Sequence, residues 1–163
     1  MAHPHLNAIE NMNASSLLGI IEESKMTYVR DNLSIHLHGS QVKLLKQVKK
    51  HEKPHHKRIR VKQFEKAKKD DLFNMHLGLY LKKYQKLAKL GLIEIDLEPK
   101  NGLTYDCSLT DEGKIIIDEI FELEAQWEEI VGITEEDLEV IKNIALNSFE
   151  ITYNHKKKRG YIF

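Results

Sequence analysis

Leu87-Ala88-Lys89-Leu90-Gly91-Leu92-Ile93-Glu94 and, a short interval later, Ser108-Leu109-Thr110-Asp111-Glu112-Gly113-Lys114 are the stretches that decide the fold. A helically spaced run halts at Gly91, which can take the left-handed backbone favoured just past a helix end. Ile93, Ile95 and Leu97 then alternate with polar residues, as do Leu103, Tyr105, Cys107 and Leu109. That period of two belongs to half-buried strands. Asn101-Gly102 between the two runs tolerates positive φ and makes a tight hairpin turn. Thr110 has the side chain of an N-cap, and Asp111 and Glu112 are favourable charges in a first helical turn. The order is therefore helix, two-stranded hairpin, helix.

The same reasoning extends to both sides. Residues 14–33 read as a helix with Leu17, Leu18, Ile20, Ile21 and Met26 on an apolar stripe. Ser40 is a candidate cap for a second helix with Val42, Leu45 and Val48 on one face, and Pro54 lies beyond its end. The polar, basic run 51–60 reads as a loop. Residues 61–69 read as a short helix with Phe64 and Ala67 facing inward, and 70–74 as a connector. A longer helix is predicted over about 75–90, with Leu77, Tyr80 or Leu81, Tyr84 and Leu87 inward. Lys82, Lys83, Lys86 and Lys89 then face outward. Beyond Thr110, Ile116, Ile120, Leu123, Trp127 and Ile130 mark one helix, which Gly132 breaks. Thr134, with Asp137 three residues on, opens another that carries Leu138, Ile141, Ile144, Ala145 and Phe149.

With 163 residues, one domain is expected. No apolar run is long enough to span a bilayer, the first residues lack the pattern of a secretory signal, and Cys107 is the single cysteine. These features fit a cytoplasmic protein. The formal net charge of zero conceals segregation. Residues 41–90 hold 16 Lys/Arg against 4 Asp/Glu, a net of +12; residues 91–155 hold 3 against 17, a net of −14. Such asymmetry points to one half facing a polyanion and another held away from it. The alternative reading is two solvated faces.

Leu87-x-x-x-Gly91-Leu92-Ile93 and Leu109-Thr110-x-x-Gly113, set among the flanking helices, resemble the MarR family of bacterial and archaeal transcriptional regulators. The resemblance runs over roughly 14–149. It implies a mainly α fold with a small β-hairpin wing (α+β), a winged helix-turn-helix with long N- and C-terminal dimerisation helices. Within a single domain 1–163, about 35–113 would form the DNA-binding lobe, 14–33 and 114–150 the dimerisation helices, and 151–163 a basic tail. The resemblance further implies an obligate homodimer on the pseudo-palindromic operator of a double-stranded DNA. A small-molecule effector would lodge between the dimerisation helices and the DNA-binding lobe. Repression by occluding a promoter is the expected mode.

Residue by residue, the resemblance places the 75–90 helix in the major groove. Lys82, Lys83 and Lys86 would meet phosphate or base edges, with Asn74, His76 and Gln85 as polar readers. Lys62, Lys66 and Lys69 on the preceding helix would contact backbone. The family's wing carries Asp-x-Arg where this chain has Asn101 and Leu103, so Lys100, beside Asn101, is the cation left near the wing tip. The missing arginine keeps open a second reading, a winged-helix protein–protein module. Leu17, Leu18, Ile21, Trp127, Leu138, Ile141 and Phe149 are candidate dimer contacts. The aromatics Trp127, Phe121 and Phe149 suit dimer anchors or the core of the single chain equally.

Other chemistries find little support. There is no phosphate-binding glycine loop, nucleophile elbow or zinc-protease motif, so no catalytic residue or cofactor is expected. His36-x-His38 and His55-His56 are the closest histidine pairs among nine, but structural zinc sites usually add cysteines, and no metal is assigned. Cys107 alternates with apolar residues beside Asp106, the setting of a packing cysteine and not of a reactive thiolate. Asp118, Glu119, Glu122, Glu128 and Glu129 read as the solvated face of a helix. Lys156 to Arg159 either touch DNA or form a solvated tail.

Overall fold

The computed structural model describes residues 6–51, 59–60, 82–96 and 104–158. In order these are α1 (Leu6–Glu10), α2 (Ala14–Asn32), α3 (Gly39–His51) and β1 (Ile59–Arg60). There follow α4 (described over 82–89), β2 (Ile93–Asp96), β3 (Thr104–Leu109), α5 (Asp111–Val131) and α6 (Glu135–Lys158). The chain divides into two compact units, Met1–Ala125 and Gln126–Phe163.

Local hydrogen bonds set both ends of α2 and the start of α3. Asn13 caps α2 by accepting the Ser16 N–H at 2.9 Å, and the Leu33 N–H closes its far end on the Val29 carbonyl. At α3 the structure corrects the expected cap. The residue before the helix is His38, and its backbone N–H donates to Gln41 Oε1 at 2.8 Å, the reciprocal half of a capping box. Ser40 lies within the first turn. The helix α1 was not anticipated.

The sheet has the order β1-β3-β2, all antiparallel. Ile93 pairs with Leu109 and Asp96 with Asp106, while Ile59 pairs with Tyr105 and Arg60 with Thr104. The expected two-stranded hairpin is therefore a three-stranded sheet. The run 51–60, read as a loop, contributes α3's last residue and the whole of β1.

One core fills the first unit. Val29 and Leu33 of α2, Leu37, and Val42, Leu44, Leu45 and Val48 of α3 meet Leu87, Leu92, Ile93 and Leu109. Ile116, Ile117, Ile120 and Leu123 of α5 complete it. Burying each of the largest of these side chains contributes about 1.5–3 kcal/mol relative to leaving it exposed. Met26, Tyr84, Ile95 and Cys107 pack half-buried against this cluster, so Cys107 occupies a packing position.

The two diagnostic motifs form a single clasp. Gly91, at φ 75°, ends α4 with the Gly91 N–H on the Ala88 carbonyl (3.0 Å) and the Leu92 N–H on the Leu87 carbonyl (3.1 Å). That is a Schellman motif, with buried Leu87 and Leu92 as its apolar pair. Thr110 accepts the Gly113 N–H at 3.0 Å, and its hydroxyl donates to the Gly91 carbonyl at 2.5 Å. The Thr110 N–H reaches the Leu92 carbonyl at 3.1 Å. A Cβ at position 113 would lie 1.9 Å from the Leu92 carbonyl oxygen, so only glycine allows α5 to start there.

The second unit contains the last residues of α5 and α6. Gly132, at φ 76°, repeats the Schellman pattern through bonds to the Glu129 and Glu128 carbonyls. Thr134 and Asp137 then form a reciprocal capping box. The Thr134 N–H donates to Asp137 Oδ2 (2.9 Å), and the Asp137 N–H donates to Thr134 Oγ1 (3.2 Å). The Thr134 N–H and the Thr134 hydroxyl, both donating to Oδ2, hold the Asp137 carboxyl below its ordinary value. The basic tail expected from 151 is helical through Lys158 and belongs to α6, because nothing before Lys158 breaks the helical pattern.

Candidate nucleic-acid interface

The described part of α4 presents its lysines as the spacing predicts. Leu87 is fully buried, Tyr84 and Ala88 are half-buried, and Lys82, Lys83, Lys86 and Lys89 are exposed. Gln85 is half-buried. Among the described residues, none of these four lysines takes part in an ion pair. On α3, Gln47, Lys49 and Lys50 are exposed as well, an addition to the residues picked out from the sequence. Their signal was the same outward helical phase. Lys62, Lys66, Lys69, Asn74, His76, Lys100 and Asn101 lie outside the described residues.

Behind this surface, α3 is tied to its neighbours by charge. Glu22 of α2 pairs with Lys25 at 2.8 Å and with Lys43 of α3 at 3.7 Å. The hydrogen bond from Lys25 holds the Glu22 carboxyl below its ordinary value, against partial burial. The charges of Lys25, Lys43 and Lys46 add to the effect. Lys46 pairs with Glu124 of α5 and sits 5.5 Å from the centroid of the Phe121 ring. Glu119 of α5 accepts both the backbone N–H and the hydroxyl of Ser34, each at 2.6 Å. The sequence reading put Glu119 on a solvated acidic face; it is instead half-buried and bonded to the α2–α3 connection.

His36 and His38 pack edge to face with centroids 5.2 Å apart. Among the described residues no group of three or more His, Cys, Asp or Glu side chains is arranged to hold a metal ion, and no helix is long and apolar enough to cross a membrane.

The residues expected to meet a second subunit are of two kinds. Leu18, Ile21, Leu138, Ile141 and Phe149 are exposed, and Leu17 is half-buried. Trp127 is only 6% exposed in the single chain. Phe149 is 66% and Ile151 73% exposed, and Val140, Ile144 and Leu146 are exposed beside them. At 3.6 residues per turn these side chains are spread over a broad arc of α6 that also holds Lys142, Ser148, Thr152 and His155. The remainder is a polar strip of Glu136, Glu139, Asn143, Asn147, Glu150 and Asn154.

No protein-family model matches the sequence, and no curated protein is a match for it. Solved structures do match. A crystal structure of MarR superposes with a TM-score of 0.66 at 22% identity, covering 91% of this chain and 96% of that one. The chain has the MarR fold. A crystal structure of the S. aureus MepR–DNA complex matches at TM-score 0.58 and 14% identity, over 86% of this chain and 98% of that one. A probable transcriptional regulator from Pseudomonas aeruginosa matches at 0.56 and 14%, over 83% and 96%. Within the MarR fold, the clasp at Gly91, Thr110 and Gly113 joins the exposed-lysine helix to the sheet.

Proposed function

We propose that this chain is a sequence-specific, double-stranded DNA-binding transcriptional regulator that acts as a homodimer. The observation that carries the reading is the row Lys82, Lys83, Lys86 and Lys89, exposed on the helix directly before the hairpin of a MarR fold. A solved relative in fold, MepR, is in complex with DNA. In this reading α4 enters the major groove, and its lysines supply phosphate contacts more than base reading, since an ammonium is a point charge without a planar fork. Lys62, Lys66 and Lys69 add backbone contacts, Asn74 and His76 read base edges, and Lys100 and Asn101 approach the flanking minor groove.

The homodimer reading rests on exposed apolar surface. Exposed apolar side chains in such number on one helix, among them Leu138, Ile141, Ile144, Phe149 and Ile151, mark a surface for a partner. Leu17, Leu18, Ile21, Leu138, Ile141 and Phe149 are assigned to that contact. Repression by occluding a promoter is the proposed mode, and a small-molecule effector would act by binding two arrangements of the dimer unequally.

Selection from random duplexes followed by footprinting tests this. The expected footprint has two-fold symmetry. Removing Lys82, Lys83 or Lys86 by substitution with alanine should each make the log–log salt slope shallower by about 0.9. Absence of binding at low salt would sink the DNA reading and leave the protein–protein module in its place.

A further inference from the structure

Two carboxylates on α5 reach the segment 34–51, which carries α3. Glu119 holds the start, through the Ser34 N–H and hydroxyl. Glu124 holds the middle of α3, through Lys46. On α3 itself, Lys43 and Lys46 stand three residues apart but pair with different helices, Lys43 with Glu22 of α2 and Lys46 with Glu124 of α5. A helix gripped by opposite charges from two neighbours cannot turn about its axis without breaking one pair. The grips differ in strength. The Lys43 and Glu22 side chains are 66% and 45% exposed, so water and salt weaken their attraction. The Lys46 and Glu124 side chains are 28% and 14% exposed, and the Phe121 face lies against the ammonium. Losing one member would leave the other poorly hydrated and unpaired, the costly way to break an ion pair.

We propose that Lys46 and Glu124 are positioning residues for DNA binding, a brace that fixes the rotation of α3 against α5 and so sets how the α3–α4 surface meets the duplex. The inference rests on the DNA-binding reading above. It concerns residues that do not themselves need to touch DNA.

The informative variant is Glu124→Gln, because the two explanations give opposite signs. If Glu124 matters only as one more negative charge, removing it eases the approach of a polyanion and tightens binding. If it braces α3, removing it weakens binding. We expect Glu124→Gln to weaken binding to the selected duplex about tenfold, the scale of coupling seen between contacting residues. Lys46→Arg should stay within about threefold of the parent, and Lys46→Met should weaken binding with an unchanged salt slope. Amide exchange on the free protein should show faster exchange at Val42 and Leu45 in Glu124→Gln. Tighter or unchanged binding by Glu124→Gln overturns the brace. So does a slope shallower by about 0.9 in Lys46→Met, which would make Lys46 a phosphate contact. If the parent binds no duplex at low salt, the DNA reading fails separately. The brace then stands or falls on exchange, and unchanged protection of α3 overturns it.

Discussion

At Gly91 and at Gly132 the chain leaves a helix through the same pair of hydrogen bonds and the same left-handed residue. After Gly91, the next residue is buried Leu92, and its carbonyl is met by the Thr110 N–H and nearly touched by Gly113. After Gly132 come Ile133 and the Thr134–Asp137 box, whose bonds all lie within a few residues of one another. A Cβ built at either glycine meets nothing within 4 Å, so at both sites the demand for glycine is purely one of backbone conformation. The turn chemistry is thus alike, but among the described residues the hydrogen bonds at the Gly91 corner reach residues distant in sequence and those at Gly132 stay local. A local signal can specify where a helix ends; rigidity beyond the turn comes from long-range packing.

The largest break in this contrast comes at Gly113. Gly113→Ala drives a methyl into the Leu92 carbonyl and should cost about 3 kcal/mol or more, in the range of strongly overpacked sites. Urea titration of the purified variant reads this as a lowered midpoint. A loss under about 1 kcal/mol would mean that the clasp is loose.

Gly91→Ala and Gly132→Ala sharpen the comparison at closer range. Each forces alanine to positive φ at about 1–2 kcal/mol. Gly91→Ala should lower amide protection across α3, β2 and β3, because the corner is part of that core. Gly132→Ala should change exchange only near 128–138. Equal spread from both sites would refute the distinction.

The smallest effect lies at Asp137. Its carboxyl is held below the ordinary value by hydrogen bonds from Thr134, so the stabilisation is present above the unfolded-state value. It is lost as pH falls through the lowered folded-state value. The protection of the Leu138 amide, its exchange taken relative to the intrinsic rate at each pH, should therefore fall on acidification below the usual carboxylate range, and Asp137→Asn should remove that dependence. Persistence of the pH effect in the variant would exclude Asp137 as its source.

Features set by neighbours in sequence were readable before any coordinates. The α2 limits, the Gly91 and Gly132 stops, the Thr110 cap, the Thr134–Asp137 box and the outward phase of Lys82, Lys83 and Lys86 all follow from spacing and side-chain type. What escaped depends on distant partners. The strand β1 is two residues long in a basic run, and it exists through its pairing with Thr104 and Tyr105. Glu119 reads as a member of a solvated acidic face because nothing local distinguishes it from Glu122, and nothing local singles out Glu124. Their partners, Ser34 and Lys46, lie far back in the chain. Trp127 left core and interface equally open, and its burial within the single chain appears only in three dimensions. Of the candidate DNA contacts, those at 82, 83 and 86 can be placed. Those at 62, 66, 69, 74, 76, 100 and 101 lie outside the described residues.

The six residues of β3 are shared unequally: Thr104 and Tyr105 pair with β1, and Asp106 to Leu109 with β2. Seen as a mechanical joint, β3 has a short weld at its leading end and a long one at its base. With two residue pairs against four, the β1 seam should part under a smaller load than the β2 seam.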